Sequence, residues 1–137
     1  MREKNARQAG GKILVMDDEE MIRKMLHSML GMAGYTVEVS ADGAEALKKY
    51  QQAVKNGDPF NAVIMDLTIP GGMGGKEAVE KLLKIDPKAL AIVSSGYATD
   101  PIMSEYSKYG FKAVIVKPYS VKTLQETLSS LLTKKKK

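Results

Sequence analysis

Four short apolar runs mark this chain, and each stops abruptly at a polar residue. Ile13 to Met16 meets Asp17, Ala62 to Met65 meets Asp66, Leu90 to Val93 meets Ser94 and Ser95, and Ala113 to Val116 meets Lys117. The first three, short and bounded by turn residues, predict strands buried in a sheet, and Ala113 to Val116 predicts the last strand. Thr36 to Ser40 alternates polar and apolar instead. That pattern predicts a fifth strand with one face in water, at the edge of a sheet.

Between the strands the apolar period changes to that of a helix. Met21, Ile22, Met25, Leu26, Met29 and Leu30 recur at helical spacing, and Gly34 supplies the stop. The acids Asp17-Asp18-Glu19-Glu20 stand where a helix N-terminus favours negative charge. The lone histidine, His27, falls off the apolar face and reads as a solvated helix residue rather than a phosphate carrier. Asp42-Gly43 opens a second helix with Ala44, Ala46, Leu47, Tyr50 and Val54 inward, and Asn56-Gly57-Asp58-Pro59 is a turn. A third helix covers Lys76 to Ile85, with Ala78, Val79, Leu82 and Leu83 inward and Asp86-Pro87 as its stop. Asp100 as cap and Pro101 at the first position begin a fourth, closed by Tyr109-Gly110. Ser120 to Leu132 forms the last, through Val121, Leu124, Leu128 and Leu131. Five strands alternating with five helices over short connections predict an α/β fold. It is (βα)5, a doubly wound five-stranded parallel sheet with helices on both faces.

Length and composition narrow this picture. A chain of 137 residues predicts one domain with an ordinary core. No apolar run approaches the ~20 residues that cross a bilayer. The opening MREKNARQAGGK lacks the apolar centre of a signal peptide, so a cytoplasmic protein is expected. The absence of cysteine excludes disulfides, thiolate metal sites and Cys nucleophiles. The net charge of +5 resides at the ends, in Arg2, Lys4, Arg7 and Lys12 and in Lys134 to Lys137, and the body between them is slightly acidic. Residues 1–11 are thus expected to be a flexible basic arm, 12–132 the domain and 133–137 a lysine-rich tail. With no basic stripe interleaved with aromatics, no nucleic-acid binding by the domain is expected.

In a parallel sheet the polar residues that close these strands all arrive at one edge, where open α/β sheets place their ligands. Asp17, Asp18, Asp66, Ser94 or Ser95, and Lys117 therefore converge. Taken singly, each has a plainer explanation: dipole compensation for the acidic pair, a turn residue for Asp66, a helix cap for Ser95, a snorkelling lysine for Lys117. Together they form a problem in electrostatics. Two carboxylates ~4 Å apart repel by roughly 4 kcal/mol at an effective dielectric of 20. A hard divalent cation offsets that repulsion, and Mg2+ needs only one or two direct carboxylates beside waters and a phosphoryl oxygen. With an ammonium and a hydroxyl alongside, this is equipment for phosphoryl transfer, and an Asp carboxylate is a competent phosphoryl acceptor.

The segments LVMDDEE, AVIMDLTIPGG, IVSSGY and VIVKPY, in this order and spacing, resemble the receiver domain of two-component response regulators from Lys12 to about Leu132. The resemblance implies a flavodoxin-like sheet of strand order 2-1-3-4-5. It implies that Asp66 takes a phosphoryl group from the phosphohistidine of a histidine kinase or a histidine phosphotransfer domain. Asp18, Asp66 and the backbone carbonyl of Thr68 would bind Mg2+ or Mn2+ directly, Asp17 through a water. Lys117 would pair with phosphoryl or carboxylate oxygens. The family's hydroxyl falls on Ser95, 22 residues before Lys117, and Ser94 would face the other side of the sheet. Homodimerisation through 101–132 is a family habit.

Two positions depart from the family pattern. Val114 stands where an aromatic ring usually rotates with the hydroxyl, so output is expected to travel by loop and helix movement. The loop Ile69-Pro70-Gly71-Gly72-Met73-Gly74-Gly75 carries extra glycines. These are expected to loosen it, and the style resembles receivers attached to hybrid sensor kinases. The competing readings are a phosphorylation-independent interaction domain, an aspartyl-phosphate hydrolase and a flavin protein. Asp-Asp-Glu-Glu after the first strand opposes the last, since it would repel a cofactor phosphate.

Overall fold

A computed structural model describes residues 11–97 and 99–136 of the chain. Its elements, in order, are β1 (Lys12–Met16), α1 (Glu20–Met32), β2 (Thr36–Ser40), α2 (Gly43–Lys55), β3 (Ala62–Asp66), α3 (Gly75–Ile85), β4 (Ala91–Ser95), α4 (Pro101–Ser104), a 3₁₀ turn (Tyr106–Tyr109), β5 (Ala113–Val116) and α5 (Val121–Lys136). The five strands form one sheet in the order β2-β1-β3-β4-β5. Every pairing is parallel. This is the flavodoxin-like arrangement the sequence led us to expect.

The pleat divides the core in two. Leu14, Met16, Val63, Met65 and Val93 face α2 and α3, where Ala46, Tyr50, Ala78, Val79 and Leu82 meet them. Ile13, Val15, Ala62, Ile64, Ile92 and Ile115 face the other way, onto Leu26 and Leu30 of α1 and Leu124 and Leu128 of α5. β3 and β4 are buried at every position, which is why their sequences run apolar without alternation. β2 is an edge strand with Thr36 and Glu38 exposed, as its alternation predicts.

The helix faces need correction at their margins. Met21, Ala44, Val54 and Val121 are exposed, and Ala53 is buried in place of Val54. The α2 stripe runs Ala46, Tyr50, Ala53 at the 3.6 period, and Val54 lies one residue, about 100°, outside it. The expected single helix from Pro101 to Tyr109 is broken. Asp100 does cap it, accepting from Ile102 N at 2.9 Å. Ser104 Oγ then donates back to Pro101 O at 3.1 Å, and Glu105 leaves helical geometry at φ −116°, ψ 35°. Pro101 O keeps its helical bond from Glu105 N at 3.0 Å, and beyond it the chain tightens into the 3₁₀ turn. The last helix continues beyond Leu132 to Lys136, and the expected arm at 1–10 lies outside the described residues.

Candidate functional site

The strand ends meet as the topology requires. β1 delivers Asp17, whose backbone N–H donates to Ser40 O at 3.0 Å. Its carboxylate is 1% exposed, and Oδ1 accepts from Glu19 N at 2.9 Å, which turns the chain into α1. Arg23 Nη1 donates to the Asp17 carbonyl at 2.9 Å and fixes that turn from the helix side. Asp18 follows, exposed to water. β3 delivers Asp66, 7% exposed and in register with Ser94 of β4. One carboxylate oxygen from each of Asp17, Asp18 and Asp66 lies within 4.8 Å of the others.

Lys117 answers this charge from the end of β5. Its Nζ is 2.9 Å from Asp17 Oδ2 and 3.5 Å from Asp66 Oδ1, and its backbone N–H donates to Ser95 O at 2.9 Å. Beside the buried Asp17, a cleft of about 470 Å³ opens, whose walls include Asp18, Asp66, Thr68, Ser95 and Lys117. Ser95 is therefore on the cleft, its Oγ accepting from Tyr97 N at 3.0 Å. Ser94 is turned away, its hydroxyl bonded to that of Tyr119 beneath the sheet. A groove of similar volume, about 490 Å³, lies along α1 between His27 and Val39, but none of the strand-end residues line it.

The electrostatics follow from burial. Desolvation and then the Asp17 charge push the Asp66 carboxyl up to about 6, with Asp18 adding to the rise. The Lys117 charge and the Thr68 N–H oppose it without cancelling it. Burial lowers the affinity of Lys117 for its proton. The close pairing with Asp17 and the Asp66 charge outweigh that, so its pKa is raised overall. Asp66 thus keeps its proton in the folded chain at pH values where the unfolded chain, near 3.8, has released it. The metal-free protein is accordingly expected to lose stability as the pH rises from about 4 to about 6 and then to level off. Denaturant midpoints measured across that range in a chelator would reveal the slope.

These residues fit a hard cation. Asp17 Oδ2 is buried and, among the described residues, makes no well-directed hydrogen bond, leaving Lys117 as its one counter-charge. Three clustered carboxylate oxygens and a single ammonium leave an excess of negative charge that an oxygen-seeking divalent ion would neutralise.

The glycine-rich loop after Asp66 is packed rather than loose. Met73 O accepts from Gly43 N at 2.8 Å, and Gly75 N donates to Leu67 O at 3.2 Å. A Cβ on Gly74 would stand 2.5 Å from Leu67 O, so this position admits no side chain without moving backbone. Gly74→Ala is expected to destabilise the protein by about 1–3 kcal/mol and to weaken metal binding by displacing the Thr68 segment. Titration of Mg2+ alongside urea denaturation would measure both. Val114 is half-buried against the α2–α3 side of the core, so no ring stands at that switch position.

Two site residues escaped the sequence reading. Glu19 lines the cleft beside Asp18, and its place in the acidic run was the available signal. Tyr119 reaches Ser94 from two residues beyond Lys117, and nothing in the period of the chain marks it.

Comparison with known proteins agrees with this fold. Residues 13–129 match the family described as response regulator receiver domain. The chemotaxis protein CheY of Thermotoga maritima is 35% identical over 123 residues, which span 89% of this chain and 98% of that protein. The crystal structure of a CheY-like receiver domain from Methanospirillum hungatei superposes with a TM-score of 0.80 at 30% identity, covering 92% of this chain and 96% of that one. The receiver domain of the sensor histidine kinase PA1611 from Pseudomonas aeruginosa shares the fold, with a TM-score of 0.79 at 21% identity over 90% of this chain and 98% of its own. That structure has magnesium coordinated in its active site cleft.

Proposed function

The chain belongs to the response regulator receiver domain family, a signalling family of two-component systems, and we propose that Asp66 is its phosphoryl acceptor. The donor is the phosphohistidine of a histidine kinase or a histidine phosphotransfer domain. An Asp66 carboxylate oxygen forms the bond to phosphorus as the N–P bond breaks, and the imidazole leaves with that electron pair. Asp18 and Asp66, with the carbonyl of Thr68, would hold Mg2+ or Mn2+ directly and Asp17 through a water. The ion supplies the positive charge that lets a carboxylate and a phosphoryl group approach.

The observation that carries this reading is the placement of Asp66. It is buried at the C-terminal end of the central strand, clustered with Asp17 and Asp18, with Lys117 Nζ 3.5 Å away and Ser95 on the same cleft. Phosphorylation replaces one negative charge on Asp66 by about two. Ser95 and Lys117 are then drawn inward, and the β4 and β5 ends shift with them toward a second conformation. That conformation is what a partner reads.

Beryllofluoride tests the reading without a cognate kinase. In the presence of Mg2+ it is expected to bind the folded protein and perturb the amide resonances around Ser95 and Lys117. Asp66→Asn is expected to show no such change. A folded wild-type protein that binds no beryllofluoride at saturating Mg2+ is an interaction domain that does not use phosphorylation.

A further inference from the structure

The hydroxyl pair beneath the site is a buried polar contact that the proposed chemistry does not use. Ser94 is 1% exposed, and its Oγ shares a hydrogen bond with the Tyr119 hydroxyl. Tyr119 packs its ring against the α1–α5 half of the core, and burial first of all pushes its hydroxyl up to about 12, so it stays protonated at neutral pH.

The position of this pair in the hydrogen-bond network gives it a use. Ser94 is the register partner of Asp66, and its carbonyl accepts from Leu67 N at 2.9 Å. The next residue, Ser95, accepts from the Lys117 backbone N–H at 2.9 Å. Two consecutive residues of β4 therefore hold the acceptor strand on one side and the Lys117 segment on the other. The main-chain bond fixes Lys117 at one point. The Tyr119 bond fixes the same segment two residues further on, and so sets the angle at which it leaves the sheet. A lysine reaches its target on a flexible four-carbon stem, and holding its backbone at two points restricts where the ammonium can go.

We propose that Tyr119 is a positioning residue for phosphoryl transfer, acting through Ser94 to hold the Lys117 ammonium against Asp17 and Asp66. This rests on Asp66 being the phosphoryl acceptor. The same bond connects the backbone of β4, one residue before Ser95, to the start of α5. Displacement of Ser95 by a phosphoryl group is thereby carried to α5 in a chain whose Val114 has no ring to rotate.

The test follows phosphorylation of Asp66 by phosphoramidate at saturating Mg2+, in the unaltered protein and in Tyr119→Phe, Ser94→Ala, Ser94→Thr and the Tyr119→Phe/Ser94→Ala double variant. Tyr119→Phe, Ser94→Ala and the double variant are each expected to be slowed by roughly three- to tenfold. Their Mg2+ affinity and the donor concentration giving half the maximal rate should not change. Ser94→Thr, which keeps the hydroxyl, is expected to keep the rate. The double variant separates positioning from mere hydroxyl satisfaction. It leaves no buried hydroxyl unpaired, so its stability should recover while its rate stays as low as that of either single variant.

Unaltered phosphorylation in Tyr119→Phe, or a rate that recovers with stability in the double variant, overturns the proposal alone. Absence of phosphoryl incorporation in the unaltered protein overturns the acceptor reading and this proposal with it.

Discussion

Asp66→Asn is expected to make the metal-free protein more stable at pH 7, by up to about 3 kcal/mol, while removing its capacity to take a phosphoryl group. The sign follows from the rise of the Asp66 carboxyl to about 6, against 3.8 in an ordinary environment. At pH 7 the folded protein carries a charge that burial and the neighbouring Asp17 both disfavour. Asparagine keeps the shape and removes the charge. It also gives up the attraction of Lys117, 3.5 Å away, but that attraction is smaller than either opposing influence. Urea denaturation in a chelator measures the difference. Saturating Mg2+ should stabilise the unaltered protein more than the variant, since only the former has the full ligand set. A metal-free Asp66→Asn protein no more stable than the unaltered one at pH 7 would show that the carboxylate cluster is already neutralised by other means.

Lys117→Ala is expected to act in the opposite direction. Its ammonium is 2.9 Å from Asp17 Oδ2, an atom that is buried and has no other counter-charge among the described residues. Removing one partner of a buried ion pair leaves the other charge uncompensated, at a cost of about 3–5 kcal/mol. The Lys117 side chain is 18% exposed, and water entering the space it leaves places the expected loss near the lower end, about 3 kcal/mol. The loss should be largest in a chelator and shrink as Mg2+ is added, because a divalent ion in the cluster replaces the missing charge. A loss independent of Mg2+ would mean that Lys117 contributes packing rather than charge. One site thus contains two substitutions of opposite sign, and the metal should shift both toward the unaltered protein.

The sheet was legible because its inner strands, β1, β3 and β4, are buried on both faces. Ile13 to Met16 and Ala62 to Met65 run apolar without alternation for that reason, and Thr36 to Ser40 alternates because β2 lies at the edge. The clustering of Asp17, Asp18, Asp66, Ser95 and Lys117 followed from topology, since parallel strands bring their C-terminal residues to one edge. What escaped was decided by atoms that sequence spacing does not encode. The extra glycines suggest slack, yet Gly74 lies against the Leu67 carbonyl and Met73 over Gly43, so the loop needs glycine for close approach. The break at Glu105 is a backbone departure, φ −116° and ψ 35°, that the apolar period does not mark. Tyr119 sits in a loop without periodicity, and its bond to Ser94 requires the three-dimensional approach of β4 to the start of α5.

The central claim is that Asp66 is a metal-dependent phosphoryl acceptor. Its most direct test is to incubate the protein with phosphoramidate and Mg2+, trap the acyl phosphate by borohydride reduction, and map the modified residue by mass spectrometry. One phosphoryl group per chain, located at Asp66 and absent when the metal is chelated, is the expected result. Incorporation at another residue, or at Asp66 with equal rate in the presence of chelator, would contradict it.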